Sequence, residues 1–144
     1  MDDKIAKDLD KLLCFLWAKR QTMLRYYLKD KSDYSSPVHT PEQFSIITIL
    51  DAYGHGVPVK DIASQIDIPH SNVSRTLDGL EKRGLIRRTK GKTDRREVSI
   101  HLTLQGKKAA RFVGDVSSRL LKAMWGDLPE NETTQLYETL LKVI

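Results

Sequence analysis

Along the first thirty residues the apolar positions Ile5, Leu9, Leu12, Leu16, Leu24 and Leu28 recur at helical spacing, and Leu13, Trp17 and Tyr27 widen the stripe. The pattern predicts one long helix over Ile5–Leu28 that buries more than one face. Asp30–His39 carries no period and has the composition of a connecting loop. Thr40-Pro41-Glu42-Gln43 then reads as a helix start: Thr as the cap, Pro at the first helical position, and Gln three residues after the cap to complete a capping box. This second helix runs to about Tyr53 with Phe44, Ile47 and Leu50 on its core face, and Gly54-His55-Gly56 ends it in a turn. That glycine pair lacks the further Gly, Lys and Ser/Thr of a phosphate-binding loop.

Val59–Ile66 is short and helical, with Val59, Ile62, Ala63 and Ile66 facing inward, and Asp67-Ile68-Pro69 breaks it. A new helix is expected from about His70, where Val73, Leu77 and Leu80 fall at i, i+4 and i+7. That spacing turns Ser71, Asn72, Arg75 and Asp78 outward, and Gly84 is the residue expected just past a helix end. Two helices joined by a tight turn, the second presenting short polar side chains and Arg near its start, form a helix-turn-helix arrangement. Leu85–Lys90 has strand propensity, Gly91–Asp94 reads as a turn, and Val98–Leu102 alternates with period two, which predicts a β-hairpin with a basic tip. Thr103 caps a helix over Leu104–Trp125, and a last helix starts near Pro129 and runs through Leu136, Leu140, Leu141 and Ile144. The expected fold class is mainly α with a small β-hairpin (α+β): a single unit over 1–144, with a winged helix-turn-helix lobe at 40–103 and helical regions at 1–30 and 104–144.

Charge changes this picture from a fold into a surface. The chain carries +5 overall, yet between Arg75 and Arg96 nine Lys or Arg stand against three acids, a local +6 that leaves the rest slightly negative. Lys and Arg that neutralise DNA phosphates release condensed counterions, so a basic hairpin beside a polar-faced helix suits duplex DNA. Asn and Arg make bidentate contacts to adenine and guanine in the major groove, which singles out Asn72 and Arg75 for base reading. Ser71 and Ser74 are short enough to bond phosphate or allow close approach, and His70 sits at the helix entrance, where backbone N–H groups attract phosphate. Arg87, Lys90, Lys92, Asp94, Arg95 and Arg96 complete the candidate DNA surface on the hairpin.

Other chemistry is sparse. The four histidines, His39, His55, His70 and His101, are scattered, and no cysteine pair or acid–base cluster occurs at a defined spacing, so no enzyme, metal site or cofactor is expected. Cys14 among Leu12, Leu13, Phe15 and Leu16 reads as a small buried hydrophobe. No apolar run approaches the length of a membrane helix, and the acidic start Met1-Asp2-Asp3 lacks the features of a secretory signal, so a soluble, cytoplasmic protein is expected.

The order of these features carries a family resemblance. Ser74 through Ile86, then Asp94-Arg95-Arg96, then Leu102-Thr103-Leu104-Gln105-Gly106 resemble the core of the MarR family of regulators over Val57–Ala110. The Thr40-Pro41-Glu42-Gln43-Phe44 start and the flanking helices extend the likeness over nearly the whole chain. The resemblance implies a ligand-responsive repressor, with the helix at 70–83 in the major groove and the wing at 85–102 at the minor groove. Arg95 or Arg96 would enter that groove, and Asp94 would shape the tip. It further implies a homodimer built from the terminal helices, whose recognition helices meet pseudo-palindromic half-sites roughly 10 base pairs apart.

Members of this family often bind small aromatic effectors beside the dimer helices, and Trp17, Tyr26, Tyr27, Tyr34 and His39 lie in segments that could line such a crevice, or serve as core and interface aromatics. Cys14 is similar to the first-helix cysteine of the peroxide-sensing OhrR branch, an alternative redox reading. Ala18 occupies the turn-on position where that branch has a tyrosine, and Tyr26 and Tyr27 fall out of phase. A winged-helix module that binds protein, or coats DNA without reading sequence, is the remaining alternative; it would not need the Ser71-Asn72-Arg75 face.

Overall fold

A computed structural model describes residues 2–30, 36–66, 68–91 and 97–143, the side chain of Asp30 excepted. The chain runs α1 (Asp3–Asp30), α2 (Pro41–Tyr53), β1 (Val57–Pro58), α3 (Val59–Gln65), α4 (His70–Lys82), β2 (Ile86–Lys90), β3 (Val98–Leu102), α5 (Leu104–Trp125) and α6 (Glu130–Leu141). No helix among these residues is long and apolar enough to cross a membrane.

The helix starts follow from their caps. Thr40 is extended (φ −130°, ψ 155°), and its hydroxyl accepts from the Gln43 N–H at 3.2 Å while Pro41 opens α2. The capping box is not closed, however. Gln43 Oε1 accepts instead from the N–H of His39, at 2.9 Å, and from Arg83. Thr103 caps α5 by accepting from the Gly106 N–H at 3.0 Å, and Gly84, with φ 71°, turns the chain out of α4 into the wing.

The expected hairpin is one part of a three-stranded antiparallel sheet in the order β1-β3-β2. Val57 and Pro58 pair with Ile100 and Ser99, a strand too short to show a period. Pro58 is tolerated because β1 lies at the sheet edge, where a missing N–H costs no ladder bond. In β2, Ile86 faces Leu102 and Arg88 faces Ile100.

One core gathers these elements. Phe44, Ile46, Ile47 and Leu50 of α2, Ile62 of α3, Val73, Leu77 and Leu80 of α4, Ile86 and Ile100 of the sheet, and Ala109, Ala110, Val113, Val116 and Leu120 of α5 are all buried. Val59, Ala63 and Ile66 pack against it half-buried. α1 contributes only Leu24 fully, and the Arg20 guanidinium lies 5.7 Å from the Phe44 ring centroid. Ile5, Leu9, Leu12, Leu13 and Phe15 stay exposed, as does Cys14, which corrects the reading of that thiol as buried within its own chain. The reason is geometric: these residues lie on the part of α1 that extends beyond the lobe. α6 buries nothing.

The tightest joint lies where the wing meets α5. Thr103 donates from its hydroxyl to the Gly84 carbonyl and from its N–H to the Leu85 carbonyl at 3.1 Å. A Cβ at Gly106 would lie 1.9 Å from that Leu85 oxygen, whereas one at Gly114, further along α5, would meet nothing within 4 Å. Gly106→Ala is expected to cost about 3 kcal/mol through a backbone clash, and Gly114→Ala to gain about 0.5–1 kcal/mol from helix propensity. Urea unfolding midpoints of the two variants check both signs.

Candidate nucleic-acid interface

α4 is strongly amphipathic: Val73, Leu77 and Leu80 are buried, while His70, Ser71, Asn72, Arg75 and Asp78 are exposed and Ser74 is half-buried. The helix begins after Pro69 with no side-chain cap, so the N–H groups of its first turn are only partly used, Asn72 N donating to the Pro69 carbonyl at 2.8 Å. The side chains of His70, Ser71, Asn72, Ser74 and Arg75 have no hydrogen-bond or ion-pair partner among the described residues. Polar groups presented along one face without internal partners are free to bond to something else.

The wing is fastened to this helix by a residue that the sequence reading passed over. Arg88 donates through Nη1 to Glu81 Oε2 and through Nη2 to Asp78 Oδ1, both at 2.6 Å. One planar guanidinium thus spans two carboxylates a helical turn apart and ties β2 to α4. It also offsets one of the two negative charges on α4, charges that would repel an anionic partner. The signal lay in strand alternation: with Ile86 pointing inward, Arg88 and Lys90 share its face of the sheet and Arg87 takes the other.

The basic window is therefore less uniform than its arithmetic implied. Arg75 and Lys90 are exposed and Arg88 is spent on α4, while Arg87 lies on the far face of the wing beside its cross-strand partner His101. Arg83, at the end of α4, turns toward α2 and the segment before it. It donates to Gln43 Oε1 at 3.2 Å and to the Ser36 carbonyl at 3.3 Å, and it lies 3.3 Å from His39 Nε2, which is itself 3.0 Å from that carbonyl. Lys92, Asp94, Arg95 and Arg96, the expected wing tip, lie outside the described residues, as does Tyr34.

The other candidate effector residues are not brought together. Trp17 and Tyr26 are 60% and 74% exposed; nine residues apart on one helix, they point to opposite sides. Tyr27 packs half-buried against the core. His39 alone lines a cavity of about 460 Å³, with Arg25, Leu28, Lys29, Pro41 and Glu42.

With this geometry in view, the comparisons with known proteins are decisive. Residues 39–98 match the model of the MarR family. The HTH-type transcriptional regulator YfiV of Bacillus subtilis, itself uncharacterised, is 31% identical over 113 residues, spanning 78% of this chain and 70% of that protein. The chain belongs to the MarR family. The HTH-type transcriptional regulator PrsX of Escherichia coli is likewise 31% identical over 97 residues, and here the match spans 67% of this chain but only 58% of the relative. Among solved structures, a MarR mutant from Escherichia coli complexed with operator DNA superposes with a TM-score of 0.68 at 20% identity, covering 100% of this chain and 99% of that one. At that identity the likeness is one of fold, and it extends over the terminal helices of this MarR-family chain as well as its lobe.

The Arg88 fork makes a measurable coupling. Because Arg88 and its two partners are 31% to 55% exposed, a double-mutant cycle of Arg88→Ala and Asp78→Ala, read by urea unfolding, is expected to give about 0.5–1 kcal/mol of interaction that shrinks in high salt.

Proposed function

We propose that this MarR-family protein is a sequence-specific regulator of transcription that binds double-stranded DNA as a homodimer and represses by occupying pseudo-palindromic sites. The observation that carries the reading is α4: its inner face is sealed in the core, while Asn72 and Arg75 stand exposed with no internal partner. In this reading Asn72 and Arg75 read base edges in the major groove, and Ser71, Ser74 and His70 contact phosphate at the helix start. Lys90 and the tip residues Lys92, Arg95 and Arg96 supply affinity along the minor groove, with Asp94 shaping the turn. A purely electrostatic coat for DNA has no use for the amide of Asn72.

The dimer reading rests on unspent apolar surface. Ile5, Leu9, Leu12, Leu13 and Phe15 on α1, Leu121 on α5, and Tyr137, Leu140 and Leu141 on α6 are all exposed in the single chain. A surface of that extent on the terminal helices fits a second copy. An effector reading rests on the cavity at His39: Arg83 reaches that histidine from the end of α4. A small aromatic occupant that moved His39 would disturb its contact with Arg83 at the end of the recognition helix, and so alter the spacing of the two helices in the dimer.

Selection from random duplexes is expected to return a motif of two inverted half-sites with centres about 10 base pairs apart. Arg75→Ala should lose about 1–3 kcal/mol of affinity and relax one position in each half-site. A library that returns no motif, or an Arg75→Ala variant that selects as the parent does, sinks the sequence-reading role. Sedimentation equilibrium should give a dimer, and Leu12→Glu combined with Leu140→Glu should shift it toward monomer while far-UV circular dichroism keeps its helical signal.

A further inference from the structure

A second concave surface lies between the end of α2, the outer face of the wing and the first turns of α5. It encloses about 440 Å³, and its charged and titratable lining is Asp51, His55, Arg87, His101, Lys107 and Arg111. Lys107 and Arg111 stand one helical turn apart on the same side of α5. Arg87 projects from the face of β2 opposite the one that sends Arg88 to α4. None of these three cations has an ion pair among the described residues. Three permanent positive charges therefore converge on one hollow with a single carboxylate to oppose them.

The hollow is shaped as well as charged. His101 is registered against Arg87, and its Nε2 lies 2.9 Å from Thr89 Oγ1. Its ring sits so close over Gly56 that a Cβ there would fall 2.4 Å from the ring edge, and a side chain at 56 would push the ring aside. Leu50 and Leu102 supply an apolar wall.

We infer that this cleft binds a small dianion carrying a phosphate group, either inorganic phosphate or a phosphate monoester, gripped by Arg87, Lys107 and Arg111. With both histidines neutral, the lining sums to two positive charges, which matches a dianion. The Arg forks suit the tetrahedral oxygens of phosphate, and a volume of this size holds a phosphate with a small organic body. A phosphate of duplex DNA fits less well, because the cleft is on the side of the wing turned away from α4. The site is also separate from the cavity at His39, which lies across the lobe on α1 and the start of α2. Burial, Arg87 and His55 together hold the His101 imidazole below its ordinary value of 6.5. A dianion beside it favours the protonated ring, so binding should raise that value.

The experiment titrates the full-length protein, without DNA, with inorganic phosphate and with phenyl phosphate at constant ionic strength, by calorimetry and by the His101 ring resonances. Saturable binding of one anion per chain is expected, with Arg87→Ala, Lys107→Ala and Arg111→Ala each weakening it about tenfold. Lys108→Ala, the neighbouring exposed cation on α5, should stay within about twofold of the parent, which reads the contrast between site and surface charge. The His101 titration should move upward on saturation in the parent and stay in place in Arg111→Ala. Tighter binding of phenyl phosphate supports a monoester that uses the Leu50 and Leu102 wall, and equal binding supports the free ion. Absence of saturation overturns the inference, as does an equal loss in Lys108→Ala. So does a result in which the cleft variants keep phosphate binding and lose only duplex affinity and salt dependence, since the cations would then serve the DNA backbone.

Discussion

At the corner where β3 becomes α5 the chain passes so close to the start of the wing that residue 106 has no room for a side chain. The Leu85 carbonyl occupies the place a Cβ would take, and it accepts from the N–H of Thr103 at 3.1 Å. The same stretch closes α4, because Leu85 N–H donates to the Leu80 carbonyl at 3.0 Å and the Thr103 hydroxyl reaches Gly84. Four element ends, those of α4, β2, β3 and α5, are thereby locked within a few residues. The direction in which α4 presents Asn72 and Arg75 is consequently set by the direction of α5. A rotation of that long helix is poorly absorbed at this joint, since backbone meets backbone there.

A second attachment works further along α4. Arg88 holds the wing to Asp78 and Glu81, and Arg83 holds the helix end to Ser36, Gln43 and His39. Helix and wing are thus one body, while the back of that body is held by longer hydrogen bonds through a half-exposed arginine. The shorter bonds join α4 to the wing, and the longer ones lie toward the cavity lined by α1 and the start of α2. Such a gradient favours movement of helix and wing as a unit over bending between them.

Much of this was legible from the chain. Thr40, Pro41, Thr103 and Gly84 placed helix ends to within a residue or so, because caps and left-handed turns act locally. Val73, Leu77 and Leu80 identified the buried side of α4, and hence its free side. What escaped were effects that depend on which elements become neighbours. β1 is two residues long and has meaning only through its pairing with Ile100 and Ser99. Adjacent arginines 87 and 88 look alike in a charge count, yet the pleat sends one to α4 and the other to the outer cleft. Gln43 had the right spacing for a capping box, but its side-chain oxygen is taken by the His39 N–H and by a guanidinium forty residues away. In α1 the apolar stripe was evident, though only Leu24 meets the lobe fully, Tyr27 and Leu28 meet it in part, and Ile5, Leu9, Leu12 and Leu13 meet nothing that buries them.

The short β1 strand has an effect out of proportion to its length. It forms one margin of the sheet, and Pro58 leaves that margin without an N–H to offer. The opposite margin, β2, carries Arg87, Arg88 and Lys90 within five residues. An incoming strand would find two ladder positions on one side and a row of cations on the other. Two such lobes held side by side, as in the proposed dimer, would thereby be protected from zipping together edge to edge.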